Sequence, residues 1–311
     1  MEVARVNGFR AEYLANVVKR LPDRVQRLEV MDEVGIEISL LSLTEPGTQG
    51  IIDKKKSIEE ARRINDWLAE YFVKWNPKRY QGLGVVPMQD PAAAARELER
   101  MVKDLGLKGT MINGFSNIGE GDEIMYLDEK PCWEFWAAAE QLNVPISLHP
   151  RVPLPSQRRS MKDYDVIRGS LWGFARETCE HAIRLMLSGV FDQYPKAICC
   201  LGHLAEGLIF ALPRMDKRMR HQEPGTHGTH KRLPTEYFRD NFIISTSGIM
   251  HTPAMHNALV EIGADKLIFA VDYPFESSHE ICGWFDSFPI NEDDRLKIGR
   301  LNAAKYWHIP L

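Results

Sequence analysis

Three side chains suited to metal binding or proton transfer stand at the ends of short apolar runs. His149 ends VPISLHP (144–150), His203 ends AICCLGH (197–203) and Asp272 lies in KLIFAVDYP (266–274). An imidazole nitrogen and a carboxylate oxygen are good donors to Zn2+ or Mn2+, above all when rigid strand ends hold them. One strand-end histidine commonly does no more than satisfy a local hydrogen bond. Three such groups in one chain point to a shared metal-type site, with His149 and Asp272 as ligands. Glu206 follows three residues after His203 in GHLAEG. Its carboxylate can fix the imidazole tautomer and raise its basicity, and it also suits the positive end of a helix. Arg214, further along that helix, can meet a substrate carboxylate by bidentate pairing, or serve as a surface arginine.

Other candidates read as structural. His221, His227 and His230 fall in HQEPGTHGTHKR, a Gly/Pro/Thr-rich loop without the rigid frame that ligands need. The basic run RRSMK (158–162) suits solvent or a subunit contact, and Trp133, Phe135 and Trp136 suit a helix core. The chain has no G-x-S-x-G elbow and no P-loop.

Positioning these groups requires strands. Short apolar runs alternate with amphipathic stretches: 37–43, 80–88, 108–114, 144–150, 197–203, 242–248 and 266–274 against 56–72, 91–105, 131–142, 179–192, 252–262 and 293–307. Strict β–α alternation implies a parallel sheet with right-handed crossovers. An open nucleotide-binding sheet should carry a glycine fingerprint after its first strand, and none is present. Polar groups gather instead at the C-terminal ends of several strands, at Asn113, His149, His203, Ser247 and Asp272, as in a closed barrel with one active mouth. The predicted fold is therefore a TIM-type (β/α)8 barrel, one domain over 1–311. Seven strands are legible rather than eight. The first pattern is a helix from Arg24 to Val34 capped by Gly35, and Met1–Val6 make an unconvincing strand before it, so strand one is expected to be missing. Segments 150–178 and 218–236 read as loops at the barrel mouth.

Composition narrows the function. The 311 residues are 44% apolar, with net charge −4 and pI near 6.2. That balance gives no basic field for nucleic acid. No run reaches the roughly 20 apolar residues of a membrane span, and the N-terminus lacks a signal-peptide core. Five cysteines without a C-x-x-C pair suit a reducing, cytoplasmic setting, and Cys199–Cys200 read as buried apolar groups.

The ordered motifs NGF, LHPR, GHxxEG, STSG and VDYPFE, followed by IGRLNAAKYWHI, resemble the hydroxybenzoate decarboxylases of the amidohydrolase superfamily, from about Arg24 to the C-terminus. Functional neighbours by this resemblance are γ-resorcylate, 2,3-dihydroxybenzoate and orsellinate-type decarboxylases. The resemblance implies one divalent metal ion (Zn, Mn or Mg), a small aromatic carboxylic acid as substrate, and a homodimer or homotetramer. It implies His149 and Asp272 as metal ligands, His203 with Glu206 as the pair beside the metal, and Asn113 and Arg214 near the substrate. The implied reaction is non-oxidative decarboxylation, with the metal chelating the carboxylate and an ortho phenolate, and Asp272 protonating the ring carbon. Two departures stand out. The family's strand-one E-E-H or E-E-A motif has no counterpart, and Ala205 stands where relatives usually carry glycine.

Two other functions fit the same residues. In a metal-dependent hydrolase, Asp272 would activate a bound water against an amide or lactone. A catalytically impaired paralogue would keep the barrel for binding or assembly, which the missing strand favours.

Overall fold

The computed structural model describes residues 9–223 and 228–311. The candidate strand Met1–Val6 and His227 lie outside the described residues. Two helices open the described chain, α1 (Ala11–Arg20) and α2 (Arg24–Val34). Asp23 caps α2 by accepting from the amides of Val25 and Gln26, and Gly35 ends it at φ 75°, as its position in the sequence predicts. Helix α1 was not legible beforehand.

The strands follow: β1 (Ser39–Leu41), β2 (Tyr80–Gly82), β3 (Thr110–Asn113), β4 (Ser116–Asn117), β5 (Ile124–Met125), β6 (Ile146–His149), β7 (Cys199–Leu201), β8 (Phe242–Ser245) and β9 (Leu267–Ile268). Between and after them come α3 (Lys54–Leu68), α4 (Pro91–Lys103), α5 (Trp133–Leu142), α6 (Gly173–Leu187), α7 (Val190–Gln193), α8 (Leu208–Met219), α9 (Pro234–Asn241), α10 (Thr252–Ile262), α11 (Ser278–Ser287), α12 (Glu292–Leu296) and α13 (Asn302–Trp307). β4 and β5 form a small antiparallel pair, and the other seven strands coincide with the seven apolar runs. β1 pairs parallel with β2, a bridge from Gly84 to Thr110 leads on to β3, and β3-β6-β7-β8-β9 continue in parallel. β1 pairs with β2 and β9 with β8; among the described residues neither takes a second strand. The α/β barrel thus has an open seam between its first and last described strands.

Period-two alternation sorts the side chains. Leu83, Cys200, Ile243 and Ile268 pack with Trp307 and Ile309 in one cluster. Cys199, Leu201, Phe242, Ile244 and Leu267 belong to the larger cluster with Phe135, Trp136, Phe191, Tyr237 and Phe238. Phe135 and Trp136 are core residues, and Cys199 and Cys200 are buried. Several boundaries shift. Trp67 of α3 is about half exposed and stacks on Tyr71 at 5.1 Å. The segment 150–178 is not all loop, because α6 begins at Gly173 and short turns occupy Pro155–Met161 and Asp165–Arg168. No helix among the described residues is long and apolar enough to cross a membrane.

Candidate active site

The strand period that aims Ser147 inward also aims His149, two residues on, into a cavity of about 940 Å3 that both residues line. Gly202, His203, Ser247 and Asp272 line the same space from the ends of β7, β8 and β9, and Phe174 lines it from α6. The cavity extends beyond the mouth. Ser39, Leu40 and Leu41 of β1 and Ile268 of β9 also border it, so it opens into the seam.

Each functional side chain has its own electrostatic setting. Nδ1 of His149 is 2.9 Å from the carbonyl of Pro150, which requires that nitrogen to carry the proton and leaves Nε2 as a lone pair. Burial first, and the neighbouring His203 second, lower its pKa to about 3, so the ring is neutral and ligand-ready. His203 is 6.2 Å away, ring centre to ring centre. Burial acts against its charged form, but the hydrogen bond and attraction from Glu206, with Asp272 and Glu276 beyond, outweigh burial and raise its pKa. Asp272 is raised to about 6, chiefly by burial, with Glu276 and Glu206 adding repulsion against the lowering effect of His203. A carboxyl with that value holds a proton in an appreciable fraction of molecules near neutral pH.

The backbone is unusual where these groups sit. His203, Leu204, Ala205 and Glu206 have φ of 49°, 51°, 58° and 57°, a left-handed turn before α8. Glu206 therefore does not occupy the first turn of a right-handed helix, as its spacing suggested. A tight left-handed turn also brings side chains three residues apart together, and Glu206 Oε1 lies 2.5 Å from His203 Nδ1. Asp272 is left-handed too, at φ 59°, and Ser247 at φ 35°. Such conformations cost of order 1–2 kcal/mol per non-glycine residue, and they cluster at functional sites.

His149, His203, Glu206 and Asp272 therefore come together, and two other candidates lie elsewhere. Asn113 is fully buried beneath the turn Gly47–Gly50, its Nδ2 donating to the carbonyl of Leu43. It does not line the cavity. Arg214 holds an exposed position on α8 and is absent from the cavity wall. His221 and His230 stay outside the cavity as well.

Sequence reasoning missed several neighbours. Glu276 faces the Asp272–His203 pair from the turn after β9, and its only sequence signal was the motif VDYPFE. Tyr13 of α1 donates to the carbonyl of Phe275 at 2.6 Å. Behind His149, Arg151 donates to the carbonyl of Phe115 and to Asn117. Glu177 lies buried nearby, and burial raises its pKa to about 8.

The donor types at His149 and Asp272 suit a divalent cation, but the set is incomplete. Among the described residues no group of three or more His, Cys, Asp or Glu side chains is arranged to hold a metal ion. His203 Nε2 stands 4.0 Å from Asp272 Oδ2, and its Nδ1 is engaged by Glu206. The described residues do not complete a cation cage, which ordinarily needs three or four protein donors.

Comparison with known proteins places the chain in a family. The amidohydrolase family model matches residues 15–309. The γ-resorcylate decarboxylase of a Polaromonas species is 44% identical over 284 residues, covering 91% of this chain and 87% of that protein. The crystal structure of a Polaromonas dihydroxybenzoic acid decarboxylase, with bound manganese and the inhibitor 2-nitroresorcinol, superposes with a TM-score of 0.94 at 41% identity, covering 98% of this chain and 92% of the other. A 2,6-dihydroxybenzoate decarboxylase complexed with 2,6-dihydroxybenzoate superposes at 0.88 with 43% identity, covering 92% and 88%. The chain belongs to the amidohydrolase family and is closely related to the γ-resorcylate decarboxylases.

Proposed function

We infer that the chain is a non-oxidative decarboxylase of hydroxylated aromatic acids, with 2,6-dihydroxybenzoate as the first substrate to test. The observation that carries this reading is the convergence of His149, His203 and Asp272 on one cavity, with the buried Asp272 carboxyl 4.0 Å from His203 Nε2. It agrees with relatives of nearly full length named for this chemistry.

The substrate ring enters the cavity beside Phe174 with its carboxylate toward His149 and Asp272. Asp272 delivers a proton to the ring carbon that bears the carboxylate. The carbon–carbon bond then breaks, its electron pair returns to the ring, and CO2 leaves as aromaticity is restored. Water returns a proton to Asp272. His203, whose charged form Glu206 favours, stands beside the phenolate and offsets its negative charge. Microscopic reversibility lets the same groups carboxylate a phenol at high bicarbonate.

Among the described residues, His149 and Asp272 are the groups suited to one divalent cation, Zn2+, Mn2+ or Mg2+. Two donors hold such an ion weakly, and among the described residues none completes the set. The chain is one domain over 1–311, and a homodimer or homotetramer is the assembly we propose, with the solvent-facing Arg214 free for a subunit contact rather than for substrate in the same chain. The test is product analysis: 2,6-dihydroxybenzoate should give resorcinol and CO2 in equal amounts, while aryl amides and lactones stay intact. Hydrolysis of an amide or lactone without decarboxylation would replace this reading with the hydrolase one.

A further inference from the structure

The open seam poses a mechanical problem. Asp272 follows β9, whose outer edge has no strand beside it among the described residues, and it sits in a left-handed conformation that needs support. On the inner side, the turn after it is closed by the amides of Phe275 and Glu276, which both donate to the Asp272 carbonyl. Gly248 packs so closely there that a Cβ would come within 2.9 Å of Glu276 Cγ.

On the outer side the N-terminal helices reach across the seam. The guanidinium of Arg27, on α2, lies 4.3 Å from the centre of the Tyr273 ring, and that of Arg20, at the end of α1, lies 4.5 Å from the same centre. Nε of Arg20 donates to the Tyr273 hydroxyl at 3.3 Å. Arg27 is buried and anchored by donation to the carbonyl of Leu21 at 3.1 Å. Tyr13 adds its bond to Phe275. These contacts join residues some 250 positions apart, on the two sides of the seam. Cation–aromatic contacts gain strength when desolvated, as the buried Arg27 is.

We propose that Arg27, Arg20 and Tyr13 form a latch on Tyr273 and Phe275 that positions the Asp272 carboxyl beside a seam that no strand of the described residues bridges. They are positioning residues, since none is argued to touch substrate. The ion pairs His279–Glu33 and Arg300–Glu37 also span this side of the barrel, but they are solvent-exposed, and such pairs contribute little.

The experiment is hydrogen–deuterium exchange on the full chain, followed by peptide, with steady-state kinetics on the same variants. Backbone exchange reports local opening, so a lost latch accelerates only the turn it holds. Arg27→Met and Tyr273→Leu are expected to speed exchange of the 272–277 segment about tenfold or more, with β6 and β7 unchanged. Arg27→Lys and Tyr273→Phe, which keep a cation and a ring, should restore most of the protection. Should Arg27→Met fail to fold, Tyr13→Phe removes a single bond and should give a smaller acceleration confined to the same segment. The kinetic arm rests on Asp272 as proton donor and expects kcat to fall with KM unchanged. Unaltered exchange at 272–277, or an equal rise across β6 and β7, overturns the latch. Local acceleration in a chain that decarboxylates nothing supports the latch and overturns the proposed reaction instead.

Discussion

Glu206 holds Nδ1 of His203 at 2.5 Å, which leaves Nε2 of the same ring facing Asp272, 4.0 Å from its Oδ2. One carboxylate thus favours the charged form of the imidazole, and the imidazole in turn opposes the burial that has pushed the second carboxyl up to about 6. Substitutions should separate the two roles. Asp272→Asn keeps an oxygen donor but has no carboxylic proton, so turnover should fall on the order of 10²–10⁴-fold. His203→Asn should be severely impaired while still binding added Mn2+ better than His149→Ala. Rates like the parent's in Asp272→Asn, measured as CO2 release, would remove Asp272 from the mechanism.

A second prediction concerns pH and stability. Glu177 is buried and binds its proton more tightly in the folded chain, with a pKa of about 8 against an ordinary 4.5. Its contribution is therefore complete below 4.5 and is lost as pH rises through about 8. Between pH ~6.5 and ~8 that loss is about 2 kcal/mol, at ~1.4 kcal/mol per pH unit. His181 acts oppositely. Burial lowers it to about 3, so its contribution is present above 6.5 and lost as pH falls toward 3. Calorimetry should show the melting temperature of the parent falling over the alkaline interval, with a flatter profile for Glu177→Gln. Parallel profiles would contradict the assignment.

The left-handed turn yields a third. Ala205 holds φ 58°, a region where a Cβ costs of order 1 kcal/mol and glycine pays nothing sterically. Ala205→Gly should leave stability unchanged or raise it by up to ~1 kcal/mol, the greater freedom of the unfolded chain offsetting part of the gain. Urea denaturation decides it, and a loss of more than ~1 kcal/mol would show that the alanine methyl contributes packing that outweighs its strain.

Metal content gives a fourth. With His149 and Asp272 as the suited donors and the seam open, the chain should leave gel filtration with far less than one Mn2+ per protomer, and its turnover should be slow unless Mn2+ is supplied in excess. One tightly held ion per protomer, found by elemental analysis, would show that a complete cage forms in solution.

Much of this architecture was legible because its causes are local. Each of the seven apolar runs became a strand, and the inward period that buries Cys200, Ile243 and Ile268 also aims His149 at the mouth. The His203–Glu206 pair was readable by spacing, but the hand of its turn was not, since i and i+3 side chains approach each other in tight turns of either hand. Asn113 and Arg214 illustrate another limit. A strand end and a helix position fix a side chain along the chain, but neighbouring loops decide whether it meets the cavity, and here Asn113 is covered by the turn Gly47–Gly50. Nothing local marks Arg20 or Arg27 as partners of Tyr273, because that relation exists only once the two sides of the barrel meet.

The most direct test is to incubate 2,6-dihydroxybenzoate with the chain and excess Mn2+ in D2O and to follow CO2 and the aromatic product together. Ring protonation from Asp272 predicts resorcinol with one deuterium at the carbon that lost the carboxylate, formed in equal amount with CO2, and its loss in Asp272→Asn. Absence of CO2, or CO2 released as fast by Asp272→Asn as by the parent, would contradict the account.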